Sequence, residues 1–206
     1  MHSLLIFIVT VVISFVGSIQ LGPLNIAVIQ ATVKHNLRAG VLVSMGGALP
    51  EFLFSAIAIY FASFFRNNPI IEKYSGIATI VFFAAFGLYY LFSENDDINF
   101  SETTGQQNNH LLKGFSLSAI NPQLAIFWFL YSIIIDNYLK VNSIISKVAF
   151  VLGAGTGAFL ILYLFAYISY RNRSLLTRIF TQYPINKYTG ILFLVLSFVQ
   201  FLNFFL

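Results

Sequence analysis

The stretch GSIQLGPLNIAVIQ, residues 17–30, places a Gly-Pro pair and three amide side chains inside a long apolar segment. Proline is favoured at the first position of a helix, where its missing N–H would have no helical partner. In a helix interior proline costs about 3 kcal/mol, because it removes a hydrogen bond and clashes with the preceding turn. Gly22 and Pro23 therefore predict that one helix ends here and another begins.

A second stretch, SAINPQLAIFWF at residues 118–129, has the same character. Asparagine is a favoured N-cap and proline is a favoured first helical residue. Asn121 and Pro122 therefore predict a second helix start, again flanked by an amide side chain.

The composition predicts an integral membrane protein. Of the 206 residues, 58% are hydrophobic and 9% are charged, whereas a soluble domain carries about 25% charged residues. A spanning helix needs about 20 mostly apolar residues, and backbone groups in lipid must be hydrogen-bonded within the chain, which favours helices. We therefore predict an all-α membrane protein with six transmembrane helices, roughly at residues 4–30, 39–65, 74–92, 114–135, 144–170 and 188–206.

Two similar segments indicate an internal duplication. PIIEKYSGIATIVFF begins at Pro69 and PINKYTGILFLVLSF begins at Pro184, and with a one-residue gap six of their residues coincide. A polar segment separates the two halves, so we expect a first three-helix repeat over residues 1–92, a mobile linker over 93–110 and a second three-helix repeat over 111–206. An odd number of spans requires the second repeat to be inverted, as in many secondary transporters.

Lysine and arginine residues in the loops indicate the orientation, because cytoplasmic loops carry an excess of both. With the N-terminus outside, seven of the eleven fall in cytoplasmic loops and four fall in outer loops. This distribution predicts that both termini lie outside.

The two helix starts point to a binding site. Exposed amides at a helix N-terminus attract anions, and in lipid a helix break is tolerated only beside protein or a watery cavity. Interrupted segments at corresponding places in two halves are the best sequence indication of a transporter's site. The alternative is that both prolines kink helices and the amides hold helices together. The candidate substrate-binding residues are Gln20, Gly22, Pro23, Asn25, Asn121, Pro122 and Gln123, with Gln30 as a further polar neighbour.

Glu51 is an acidic residue in the middle of the second predicted span. A carboxylate there is costly unless it is paired or protonated. A carboxyl group that gains and loses a proton is what a proton-coupled carrier needs, so we assign Glu51 to proton coupling. The alternative is a permanently protonated or hydrogen-bonded structural glutamate.

Other function classes lack the residues that they need. The chain has no cysteine, which excludes disulfides and thiolate metal sites. Its three histidines have no metal-binding spacing and no nucleophile–base arrangement is visible, so we predict no metal, no cofactor and no enzymatic activity. The net charge of +4 is typical of cytoplasmic loops and does not indicate nucleic acid. The glycines of GAGTG at residues 153–157 predict close helix packing, and the aromatic residues predict interfacial belts and packing.

Two motifs resemble the LysE/RhtB amino-acid exporter family. LGPLNIAVIQATVKHNLRAGVLVSMGGALPE, residues 21–51, is similar to its first motif: a Gly-Pro in the first span, a basic glycine-containing loop and a glycine-rich second span with an acidic residue. GFSLSAINPQLAIFWF, residues 114–129, is similar to its second motif. The resemblance covers nearly the whole chain.

The resemblance implies export of amino acids or related small metabolites across the bacterial cytoplasmic (inner) membrane, driven by the proton gradient. Three positions depart from the family pattern: Leu21 replaces a common proline, Pro50 a common glycine and Gln123 a common lysine. The missing lysine removes a partner for a substrate carboxylate or for Glu51. By position, the resemblance carries over Gly22, Pro23, Gly40, Gly47, Glu51, Asn121 and Pro122.

Together these features predict a carrier that binds a zwitterionic substrate between the repeats. The helix starts at Pro23 and Pro122 would receive the carboxylate, and Asn25, Asn121 and Glu51 would hold the amine. The predicted partners are the small-molecule substrate, protons and the lipid bilayer, with no nucleic acid. The sequence is also compatible with a homo-oligomer. The alternatives are a channel or an exporter of a different solute, such as a metal ion, a membrane scaffold or assembly protein without transport, and, last, a membrane enzyme.

Overall fold

The computed structural model describes residues 2–19, 22–66, 69–92, 109–174 and 185–205. These residues form α-helices, and no strand occurs among them. The predicted all-α class is confirmed. The helices are α1 (His2–Gly17), α2 (Pro23–Lys34), α3 (Leu37–Arg66), α4 (Pro69–Phe92), α5 (His110–Ala119), α6 (Pro122–Leu139), α7 (Ile144–Arg171) and α8 (Ile185–Phe205).

Both predicted helix starts are confirmed. Pro23 is the first residue of α2, after Gly22 in an extended conformation with φ −89° and ψ 179°. Pro122 is the first residue of α6, after Asn121 in an extended conformation with φ −72° and ψ 106°. The axes of α5 and α6 differ by 62°, so the chain turns sharply at the second break.

The fourth predicted span, which the structure divides into α5 and α6, begins earlier than the sequence predicts. We expected it at Gly114, but α5 begins at His110, because the side chain of Asn109 accepts a hydrogen bond from the backbone N–H of Leu112 at 3.3 Å. Residues 109 and 110 therefore belong to the start of α5 and not to the predicted linker, whose other residues lie outside the described part of the chain. The break at Pro122 consequently lies inside a helical segment, as the break at Pro23 does.

Within the described residues, two helices are long and apolar enough to cross a membrane: Leu37–Ala62 of α3 and Ile144–Arg171 of α7. The bent pair α5–α6 is a third candidate if it is counted as one span. The chain is thus a multi-pass helical membrane protein, and the total of six spans stays a prediction.

The long helices α3 and α7 pack against each other at the centre of the fold. Helix α1 lies along α7, α5 lies along α3, and α2 contacts both central helices. Helices α4 and α8 pack mainly against each other, and α4 reaches the remaining helices through α3 and α6. The α4–α8 pair therefore forms a separate layer beside the central bundle.

Glycines allow the closest of these contacts. A Cβ atom at Gly153 would lie 2.8 Å from the carbonyl oxygen of Phe7, and one at Gly157 would collide with the carbonyl oxygen of Val11. The predicted packing role of GAGTG is confirmed, because both positions let α1 approach the backbone of α7. Gly114 does the same between α5 and α3, where a Cβ atom would collide with the carbonyl oxygen of Val43.

Replacing Gly114 with alanine should therefore destabilise the protein by about 1–3 kcal/mol, the usual cost of overpacking. The new methyl group meets backbone atoms of α3, which cannot rotate away as a side chain can. Thermal unfolding in detergent measures the effect. Leu112→Ala, on the same helix at a side chain that is 55% exposed, is the matched control and should unfold close to the wild type. Equal melting of Gly114→Ala and the wild type would contradict the close contact.

Candidate functional site

A cavity of about 650 Å³ lies beside both helix breaks. Each of the helices α1 to α8 contributes at least one residue to its lining, and α4 and α8 contribute Ala85, Tyr89, Tyr90 and Phe193. Its volume falls within the usual range for small-molecule sites, about 300–1,000 Å³. Its described polar side chains are Ser18, Asn25, Glu51, Tyr89, Tyr90, Ser118, Asn121 and Gln123.

The cavity brings together most of the residues that the sequence singled out. From the first break come Gly22, Pro23 and Asn25, and from the second come Asn121 and Gln123. Pro122, between Asn121 and Gln123, is the first residue of α6. Gln20 lies outside the described residues. The further polar neighbour Gln30 is not among the described lining residues. Glu51 lines the same cavity from α3.

At the first break, Asn25 connects the two helix ends. Its side-chain amide donates a hydrogen bond to the carbonyl oxygen of Ser18 at 3.0 Å, which gives a partner to a carbonyl beyond the end of α1. Gly22 supplies no side-chain cap to α2. A Cβ atom there would have the hydroxyl of Tyr90 as its nearest neighbour, at 3.7 Å, so glycine leaves open space on the cavity side.

At the second break, Asn121 acts as a cap. Its side-chain oxygen accepts a hydrogen bond from the backbone N–H of Gln123 at 3.0 Å, while its own N–H donates to the carbonyl oxygen of Ser118 at 3.1 Å. Two helix N-termini, those of α2 and α6, therefore border one cavity. Each carries a partial positive charge from the aligned peptide dipoles, which favours a bound anion.

Glu51 is held by Trp128, a residue that we did not predict as part of the site. The Glu51 side chain is 6% exposed, and its Oε2 accepts a hydrogen bond from Nε1 of Trp128, which is fully buried on α6. Edge-to-face contacts with Phe127 and Phe150, at centroid distances of 5.2 and 5.4 Å, fix the indole ring. A signal was present: Trp128 is the only tryptophan of the chain, and a buried indole N–H usually finds an acceptor.

Aromatic residues also line the cavity, beyond the belts and packing that we expected for them. Tyr89 and Tyr90 come from α4, Phe193 from α8 and Phe127 from α6. The rings of Tyr90 and Phe193 are nearly parallel, with centroids 5.9 Å apart. The sequence pattern could not place these rings, because their position depends on how α4 and α8 pack against the bundle.

A family model for LysE type translocators matches residues 15–203. The chain belongs to the LysE type translocator family. The match includes both helix breaks and Glu51. Members of this family are membrane exporters of amino acids or related solutes, so the protein is a transporter by family. A search of curated proteins gave no match, and a search of solved structures gave none.

In this LysE type translocator, replacing Trp128 with phenylalanine should destabilise the fold by about 1–3 kcal/mol, the cost of leaving a buried polar group without its partner. Glu51→Gln is the control, because its amide keeps a carbonyl oxygen that accepts from the indole, and it should unfold close to the wild type. Thermal unfolding in detergent compares the two. A Trp128→Phe protein as stable as the wild type would show that the hydrogen bond contributes nothing.

Proposed function

We propose that this LysE type translocator exports a zwitterionic amino acid, or a closely related small metabolite, across the bacterial cytoplasmic membrane in exchange for protons. The proposal rests on one observation: a single cavity gathers both helix breaks and the buried carboxyl group of Glu51.

The substrate carboxylate binds near the N-termini of α2 and α6. None of the described lining residues is a lysine, arginine or histidine, and Gln123 stands where many family members have lysine. Helix dipoles and backbone amides must therefore supply the positive potential that an anion needs. Asn25, Asn121 and Glu51 line the same cavity and hold the substrate amine.

Proton exchange takes place at Glu51. The carboxyl group lies in the membrane-spanning part of α3, where an unpaired charge is costly, so its charge is coupled to what occupies the cavity. A substrate amine stabilises the carboxylate, and after the substrate leaves, a proton restores the neutral form. Trp128 keeps the carboxyl group at the cavity in both states through its indole N–H.

The fold is an inverted pair of three-helix repeats with six spans. In such a pair, α1, α2, α3 and α4 of the first repeat correspond to α5, α6, α7 and α8 of the second. When each helix is replaced by its counterpart, the α1–α7 contact becomes the α5–α3 contact. The same exchange turns α2–α7 into α6–α3 and leaves α3–α7 and α4–α8 unchanged. Apart from α2–α7, these are the most extensive contacts of the fold, and their pattern supports the duplication. The α2–α3 contact departs from it, because the described residues of α6 and α7 do not form an equally extensive contact. Alternating access follows if the α4–α8 pair and the central bundle move relative to each other.

Efflux from proteoliposomes tests the proposal. Vesicles loaded with labelled amino acids should lose particular amino acids when a pH gradient is imposed, and Glu51→Gln should abolish this gradient-dependent loss while leaving the protein folded. Asp136→Asn is the matched control: Asp136 is also buried, but it lies outside the described cavity lining and accepts a hydrogen bond from the N–H of Val141 at 3.0 Å, which asparagine can keep accepting.

Full gradient-dependent efflux by Glu51→Gln would exclude proton coupling at this residue. No efflux of any amino acid from folded wild-type protein would favour the alternatives, a scaffold without transport or an exporter of a different solute. Tolerance of changes at Pro23 and Asn121 would then support the scaffold.

The orientation can be tested at the two ends of α7. Helix α7 has 28 residues and is about 42 Å long, so its ends reach opposite membrane surfaces. The chain has no cysteine, so Asn142→Cys and Asn172→Cys each introduce a single thiol, both at exposed positions. In intact cells an impermeant thiol reagent should label Asn142→Cys and should label Asn172→Cys only after permeabilisation. The reverse pattern would place the termini inside.

A further inference from the structure

The cavity has two chemically different sides. Its amide, carboxyl and serine groups come from the two helix breaks and from α3, whereas the lining residues of α4, α7, α8 and the part of α6 after Gln123 are aliphatic or aromatic, with the hydroxyls of Tyr89 and Tyr90 as their polar atoms. The bulky apolar and aromatic side chains on this second side are Tyr89, Tyr90, Leu124, Phe127, Leu162 and Phe193. An amino acid bound with its charged groups at the breaks would therefore direct its side chain towards the apolar side.

The apolar side is held in place by its own packing. Tyr90 is 8% exposed and stacks on Phe193, which is fully buried. Leu124 and Leu162 are also buried, so their positions are fixed by the helices behind them. Tyr89 also lines the cavity and is 65% exposed, with its ring edge-on to Tyr90. On a fixed apolar surface, each apolar group that the ligand buries makes the binding free energy more favourable.

Charge restricts the substrate further. Among the described lining residues, Glu51 is the one carboxyl group, and none is a lysine, arginine or histidine. If Glu51 exchanges its proton against the substrate amine, no second carboxyl group of the described lining is left for a cationic side chain. An acidic side chain would have no cationic partner there either. Each would lose its hydration without compensation.

We infer that the exporter selects amino acids with bulky apolar side chains, branched aliphatic or aromatic, and rejects cationic and acidic ones; this inference rests on the proposed function. Small side chains such as that of alanine fit the cavity but leave the apolar surface uncovered. A difference of several methylene groups in an apolar pocket changes specificity by about tenfold or more.

The test is efflux from proteoliposomes of the full-length protein, each batch loaded with one labelled amino acid: leucine, phenylalanine, alanine, lysine or glutamate. Under a pH gradient, leucine and phenylalanine should leave at least about tenfold faster than alanine, lysine and glutamate. Equal or faster export of alanine, lysine or glutamate would overturn the inference and leave the proposed function standing. No export of any of the five would also overturn the inference, and only the absence of efflux for every amino acid tested would contradict the proposed function itself.

Two variants test whether the apolar side of the cavity determines the selectivity for leucine over alanine. Tyr89→Ala, at an exposed residue of the cavity lining, should lower the ratio of leucine to alanine export. Tyr138→Ala is its matched control, because Tyr138 is 84% exposed on α6 and does not line the described cavity; its ratio should equal that of the wild type. Phe127→Ala gives a second measure from inside the cavity. An unchanged ratio in both Tyr89→Ala and Phe127→Ala would overturn the inference.

Discussion

In the hydrocarbon core of a bilayer, a backbone N–H or C=O group without a partner costs several kcal/mol, so a chain can interrupt its helices only where protein or a polar cavity covers the break. Two proline-marked breaks, at Pro23 and Pro122, meet this constraint beside one cavity. Asn25 and Asn121 provide side-chain partners for backbone groups at these breaks. The remaining helices must then be arranged so that both breaks face inward, and the glycine contacts of α1 with α7 and of α5 with α3 permit that arrangement.

The buried carboxyl group of Glu51 belongs to the same arrangement. It lies on α3, which packs against the bent α5–α6 pair, and Trp128 of α6 reaches it with the indole N–H. One hydrogen bond therefore connects the helix that follows the second break to the acidic residue of a central helix. Under the proposed mechanism, the substrate binds near the start of α6 and the proton exchanges at Glu51. Because the Trp128–Glu51 hydrogen bond connects α6 to Glu51, substrate binding can affect proton exchange directly.

The sequence predicted the features that depend on local chemistry. The preference of proline for a helix start marked both breaks, and the cost of a mid-span carboxyl group singled out Glu51. The partner of Glu51 and the aromatic side of the cavity depend on tertiary packing, which no periodicity in α4 or α8 reveals. The early start of α5 was missed because its cap, Asn109, ends a run of polar residues. Gln30 lies five residues after Asn25, about 140° further around the helix, so the two side chains point in different directions.

The central claim is that substrate binds in the cavity beside both breaks and Glu51. Trp128, the only tryptophan of the chain, donates its hydrogen bond to Glu51, so its fluorescence reports on this place alone. Titration of the detergent-solubilised protein with the amino acid that it exports fastest should give a saturable change in emission. Gly22→Leu, which adds an isobutyl group on the cavity side, should lose that change. No change in the wild type, or the same change in Gly22→Leu, would contradict binding in this cavity.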